Sequence, residues 1–171
     1  MARISFQDAS GQRRMTPAHL RAMRMDMGMN MLAMARLLSG YTGTRISRDR
    51  YRTWERPQGK DGRPYVAGNI AEAAENAYNG FYDFVDTLVA MWDGEDPLVL
   101  VHRNDMFDEA ELSLPDYITV DNYNQAVGKA WGRILEQGYQ AELAFFTTDP
   151  QDLEGPASVH RRQGGVHESA P

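Results

Sequence analysis

Apolar positions recur at helical spacing through most of the chain, and three short helices stand out first. Thr16-Pro17 reads as an N-cap followed by proline at the first helical position. Leu20, Met23 and Met27 then follow on one face, and Gly28 closes the segment. Asn30 is placed to cap a second helix with Met31, Met34, Ala35 and Leu38 on its inner face. Ser39-Gly40 is the expected stop, and a loop rich in glycine and threonine follows. Ser47 then caps a third helix, anchored by Ile46, Tyr51 and Trp54 and ended at Pro57. Residues 1–15 read as a polar arm, and Gln58 to Pro64 as a linker rich in glycine and proline.

The second half opens with a long helix, expected over Ile70–Trp92. Ile70, Ala74, Ala77, Phe81, Phe84 and Leu88 alternate spacings of four and three, a heptad-like seam. Tyr78, Tyr82, Val85 and Val89 form a second stripe beside it. Two apolar stripes on one helix are more than a small domain easily covers, which favours a dimer interface. The alternative is that both stripes are covered within the subunit. Phe81, Phe84, Leu88, Trp92 and Trp131 are the candidate dimerisation residues. Gly94 to Pro97 turns the chain into a strand, Leu98–His102. Asp121 is the expected cap of another helix carrying Tyr123, Val127, Ala130, Trp131 and Ile134, with Gly128 and Gly132 leaving a groove. A strand, Tyr139–Phe146, follows. Residues 147–171 carry little apolar content and are expected to be disordered.

The fold class this predicts is mainly α with a small α+β part. A helix-turn-helix bundle (16–66) precedes a C-terminal α-β-α-β dimerisation domain (67–146), with the arm (1–15) and the tail (147–171) outside them. Ala35 is small where two helices of such a motif cross closely, and Gly40 can take the left-handed conformation of its turn.

Charge sharpens this picture. The net charge is -6, but residues 1–66 hold 13 Lys and Arg against 5 Asp and Glu, a net of +8. Residues 67–171 hold 5 against 19, a net of -14. A basic part joined to an acidic part suggests binding to a polyanion. Five arginines fall in the twelve residues from Arg45 to Arg56. Arg48, Asp49, Arg52 and Arg56 occupy the face opposite Tyr51 and Trp54, and Arg45 and Arg50 flank it. A guanidinium fork matches both acceptors of a guanine edge and also grips phosphate. Arg48 and Arg52 are the candidates for bases, and Arg45, Ser47 and Arg56 for phosphate. Asp49 either accepts from cytosine or orients an arginine.

Other chemistry finds little support. There is no cysteine, so disulfides and thiolate zinc sites are excluded. His19, His102, His160 and His167 lack metal-ligand spacing. Methionines at 23, 25, 27, 29 and 31 could suit a soft metal. Residues two apart on a helix point in different directions, however, so core lining is the better reading. No nucleophile elbow, phosphate loop or paired-carboxylate constellation stands out, so no catalytic residue, metal or cofactor is expected. No apolar run has the length of a signal peptide or membrane span, and a cytoplasmic location is the expectation.

The run MTPAHLRAMRMDMGMNMLAMARLL followed by ISRDRYRTWERP resembles the Xre (lambda-repressor-like) helix-turn-helix class. The likeness is to its YdiL-like branch, which includes anti-CRISPR-associated autorepressors of phages and mobile elements. Leu20-Arg21, Leu38 and the segment Ser47–Glu55 ending in Trp-Glu carry it. The second half fits in outline: a long helix, the turn and strand DGEDPLVLV, a helix bearing Trp131 and a final apolar strand. The resemblance implies a repressor that dimerises through its C-terminal part and binds an inverted repeat of double-stranded DNA in its own promoter. It further implies that Glu55 pairs with an arginine of the first helix, Arg21 being the first candidate. Two features depart from the pattern: a long connection from Ser39 to Arg45, and Arg-Pro after Trp-Glu. A DNA-binding antitoxin with a toxin partner is the rival reading, and RNA stays open as a second polyanion.

Overall fold

The computed structural model describes residues 3–57, 65–101, 115, 118–146 and 158–159. Five helices and a small sheet make up the described part: α1 Pro17–Asp26, α2 Met31–Thr42, α3 Arg48–Trp54, α4 Gly68–Met91, β1 Leu98–Val101, α5 Val120–Glu136, β2 Leu143–Phe146 and β3 Ser158–Val159. The chain is mainly helical, as its periodicity predicts.

Local side-chain chemistry sets most helix ends. Thr16 Oγ1 accepts from the His19 amide at 3.3 Å, and His19 Nδ1 accepts from the Thr16 amide at 3.3 Å. A histidine thus takes the place of the usual Glu or Gln in a reciprocal capping box. Asn30 Oδ1 accepts from the amides of Leu32 and Ala33, both at 2.9 Å. The stop expected at Ser39-Gly40 does not occur, and α2 runs on to Thr42. Ser39 stays helical because its hydroxyl donates to the Ala35 carbonyl at 2.7 Å. Gly43, not Gly40, takes the left-handed turn, with φ +62°. The connection to α3 is correspondingly shorter than the sequence suggested. At α5 the N-cap is Thr119, whose amide donates to Asn122 Oδ1 at 2.7 Å, rather than Asp121.

One apolar core joins the first three helices to α4. Met15, Leu20, Met23, Met27, Met34, Leu38 and Tyr51 pack in the same cluster as Ile70, Ala74, Ala77, Phe81 and Val85. Val66, at the expected domain boundary, is itself buried in that cluster. Three helices this short enclose too little apolar volume alone, and the long helix supplies the missing wall. The seam of α4 is therefore largely covered within the subunit.

Residues 3–15 are not a free polar arm. They fold back as a small hairpin, bridged at Gln7 and Arg13, around a turn held by Asp8. Hydrogen bonds from Ser10 and Arg14 hold the Asp8 carboxyl below the usual carboxylate range. The hairpin docks on α4, where the Ile4 amide and carbonyl pair with the Asn79 side chain, each at 3.0 Å. The Phe6 amide reaches the buried Glu75 at 3.0 Å, and Arg13 pairs with Glu75 and Glu72.

The sheet is parallel, ordered β1-β2-β3, with Leu98 opposite Leu143 and Val101 opposite Phe146. Parallel neighbours need a crossover, and α5 lies between β1 and β2 in the chain. Leu98, Val127 and Ile134 form a second, smaller core beneath the sheet. The strand expected over Tyr139–Phe146 begins only at Leu143, and Tyr139 is exposed. Of the tail expected to lack order, Ser158–Val159 lie in β3. The remainder of 147–171, like His102 and the linker 58–64, falls outside the described residues. Among the described residues no helix is long and apolar enough to cross a membrane.

Candidate nucleic-acid interface

The third helix is short, and its inner side is tightly fixed. Ser47 Oγ accepts from the Arg50 amide at 3.2 Å and starts the helix. Ile46 and Tyr51 are buried and Trp54 is half-buried, its ring meeting that of Tyr51 edge-on with centroids 6.2 Å apart. The Ile46 amide donates to Ser39 Oγ at 2.9 Å, so Ser39 ties the turn to α2.

A buried ionic network locks α3 to α1. Arg24 Nε and Nη2 form a fork on the two oxygens of Glu55, at 2.6 and 3.0 Å. Tyr51 Oη donates to Glu55 Oε1 at 2.6 Å, and Arg24 Nη1 donates to the Met29 carbonyl at 2.8 Å. Burial, then the Glu55 carboxylate, pushes the Tyr51 hydroxyl far above its ordinary pKa, so it stays a donor. The partner of Glu55 is Arg24 and not Arg21. Arg24 lies one turn beyond the buried Leu20 at the edge of the inner face, whereas Arg21 points to solvent.

Arg45, Ser47, Arg48, Asp49, Arg50, Arg52 and Arg56 are all exposed. Asp49, Arg52 and Arg56 follow spacings of three and four along one stripe, with Arg48 one turn before Arg52. Arg50 leaves that stripe, and its guanidinium lies over the Trp54 ring, 5.6 Å from the centroid. No described carboxylate forms an ion pair with any of these five arginines. Most arginines elsewhere in the basic half are neutralised: Arg3 pairs with Asp83, Arg13 with Glu72 and Glu75, Arg14 with Asp8 and Arg24 with Glu55. Among the described residues the unpaired positive charge is therefore concentrated around α3, while Arg21 and Arg36 add isolated exposed charges.

The five candidate dimerisation residues do not form one exposed surface. Phe81 is wholly buried by its own chain. Phe84 is half-buried against Tyr123, centroids 6.2 Å apart. Leu88, Trp92 and Trp131 border the second core. The indole N–H groups of Trp92 and Trp131 donate to the carbonyls of Asp96 and Ala141 at 2.9 and 2.7 Å. Nearby, Met91 and Tyr139 are the most exposed large apolar side chains among the described residues of this half.

One junction went unnoticed in the sequence. Asp26, at the end of α1, accepts from Tyr78 at 2.9 Å, Tyr82 at 2.5 Å and Lys129 at 2.8 Å. Burial alone would raise its pKa, but these three donors outweigh that and hold the carboxyl below its ordinary value. The junction's trace in the sequence is the pair Tyr78 and Tyr82 one turn apart on α4, two residues that also fit an apolar stripe.

Among the described residues no group of three or more His, Asp or Glu side chains is placed to hold a metal ion. No family model, curated protein or solved structure matches the chain.

Proposed function

We propose that the chain is a sequence-specific DNA-binding transcriptional repressor, with α2, the Gly43 turn and α3 forming a helix-turn-helix. In this reading α3 enters the major groove, and the protein acts as a homodimer on an inverted repeat. The observation that carries it is the two-sidedness of α3. Its inner face is fixed by Tyr51 and the Arg24–Glu55 fork, and its outer face presents arginines that no described carboxylate neutralises. A rigid helix offering several unpaired guanidinium forks suits guanine edges and phosphates. A seven-residue helix reaches only a few base pairs, and two copies on one DNA multiply the selectivity of one. Repression follows from occupancy, since a protein seated on a promoter excludes polymerase.

Selection of bound sequences from a random pool of double-stranded DNA tests this directly. The expected product is a two-fold symmetric motif with half-sites about one helical turn, roughly 34–36 Å, or a multiple of it apart. Recovery of no motif, with binding no tighter than to random DNA, would overturn the reading. Light scattering of the free protein should give twice the chain mass, and the mass of a single chain at micromolar concentration would remove the homodimer.

A further inference from the structure

The exposed face of α3 carries one group that does not suit a phosphate-binding surface. Asp49 is exposed in the same stripe as Arg52 and Arg56, with Arg48 beside it in sequence. A carboxylate there repels the DNA backbone, and the simplest account would be that it orients a neighbouring arginine. The structure does not support that account. None of Arg45, Arg48, Arg50, Arg52 and Arg56 forms an ion pair with Asp49, and Arg50 turns instead onto the Trp54 ring at 5.6 Å. Asp49 lies in the first turn of α3, where a carboxylate suits the helix dipole, but it is not the cap: Ser47 Oγ holds the Arg50 amide.

A carboxylate is an acceptor only, so a base can satisfy it only through an N–H donor. In the major groove the donors are the cytosine and adenine amino groups. Adenine sets its acceptor N7 beside that amino group, which repels a carboxylate. Cytosine presents its amino group with no acceptor of its own alongside. Residues three apart on a helix lying in the major groove can meet successive bases, as in zinc-finger helices, so Asp49 and Arg52 suit neighbouring base pairs.

We propose that Asp49 is a specificity-determining residue that reads a cytosine, at the position next to the guanine taken by Arg52. This rests on the proposed role of α3 and adds what its half-site must contain. At that position cytosine should be preferred over other bases by roughly five- to 150-fold.

The test is parallel selection from random double-stranded DNA with the wild type, Asp49→Ala and Asp49→Asn, each first checked for unchanged circular dichroism. The wild type should return a motif with cytosine beside a guanine. Asp49→Ala should lose the preference at that one position, keep the rest of the motif and bind random DNA more tightly. Asp49→Asn should change the preference to adenine, since an amide can both donate to N7 and accept from the amino group. If the Asp49→Ala motif equals that of the wild type, Asp49 does not read a base, while the role of α3 stands. If the wild type selects no motif at all, the function itself falls, and this assignment with it.

Discussion

Replacing Glu55 by alanine should destabilise the chain more than any exposed substitution on α3. The side chains of Arg24 and Glu55 are 11% and 3% exposed, so removing the carboxylate strands a guanidinium in the interior. Breaking a buried pair from one side costs about 3–5 kcal/mol, because the remaining charge is desolvated without a partner. Tyr51 also loses the acceptor of its 2.6 Å bond. Arg24 keeps the Met29 carbonyl at 2.8 Å and the neighbouring Tyr51 hydroxyl, which limits the loss to the lower part of the range. For a chain of this length a loss of about 3–4 kcal/mol should lower the midpoint of thermal unfolding by about 6–16 °C. Urea titration followed by circular dichroism gives the free energy. A double variant, Arg24→Met with Glu55→Leu, should recover most of the loss, since no charge is then left buried. A loss below about 0.5 kcal/mol for Glu55→Ala would match an ordinary surface substitution and refute the reasoning.

Further outcomes follow from other parts of the structure. Gly40 and Gly43 should respond with opposite signs to alanine in thermal unfolding. Gly40 lies inside α2 with open space around it, and alanine there should add about 0.5–1 kcal/mol. Gly43, at φ +62°, should lose about 1–2 kcal/mol, and a shared sign would contradict the placement of the turn. Phe81→Ala should cost about 3–5 kcal/mol in urea unfolding, and a smaller loss than that of Val85→Ala would show that Phe81 is not in the core. Asp26 sits below its ordinary pKa, so its stabilising contribution is complete above about pH 4 and is lost as pH falls through the folded value. Urea midpoints of Asp26→Asn should accordingly converge on those of the wild type as pH drops below 4, and a gap that stayed constant with pH would refute the junction's ionic character.

The helices were legible in the sequence because caps and periodicity act locally. Thr16, Asn30 and Ser47 start helices where their side chains reach the first free amides, and Leu20, Met34 and Tyr51 turn inward as their spacing requires. What local pattern could not show was competition between sites. Ser39-Gly40 has the composition of a stop, yet the Ser39 hydroxyl bonds back to Ala35, and Gly43 sits three residues further on with nothing opposing a left-handed turn. The same limit explains the arm. Arg13, Phe6 and Ile4 look polar or isolated in sequence, and only the fold brings Glu75 and Asn79 of α4 against them. On α4 itself the seam was visible, but the chain that covers it was not. Its partner surface comes from residues 15 to 51 on one side and from α5 on the other, both distant in sequence. On α3 the outward arginines were legible from the inward aromatic residues. The choice of Arg24 over Arg21 depended on which side of α1 faces Glu55.

On the proposed function the arginines of α3 grip DNA. Fluorescence anisotropy of a labelled duplex carrying the selected motif tests it, with the wild type and an Arg48→Ala, Arg52→Ala variant titrated from about 50 to 200 mM salt. Wild-type affinity should fall steeply with salt, and the double variant, folded as the wild type, should no longer distinguish the motif from random DNA. Equal affinity of the two proteins for the motif, or a wild-type affinity indifferent to salt, would contradict it.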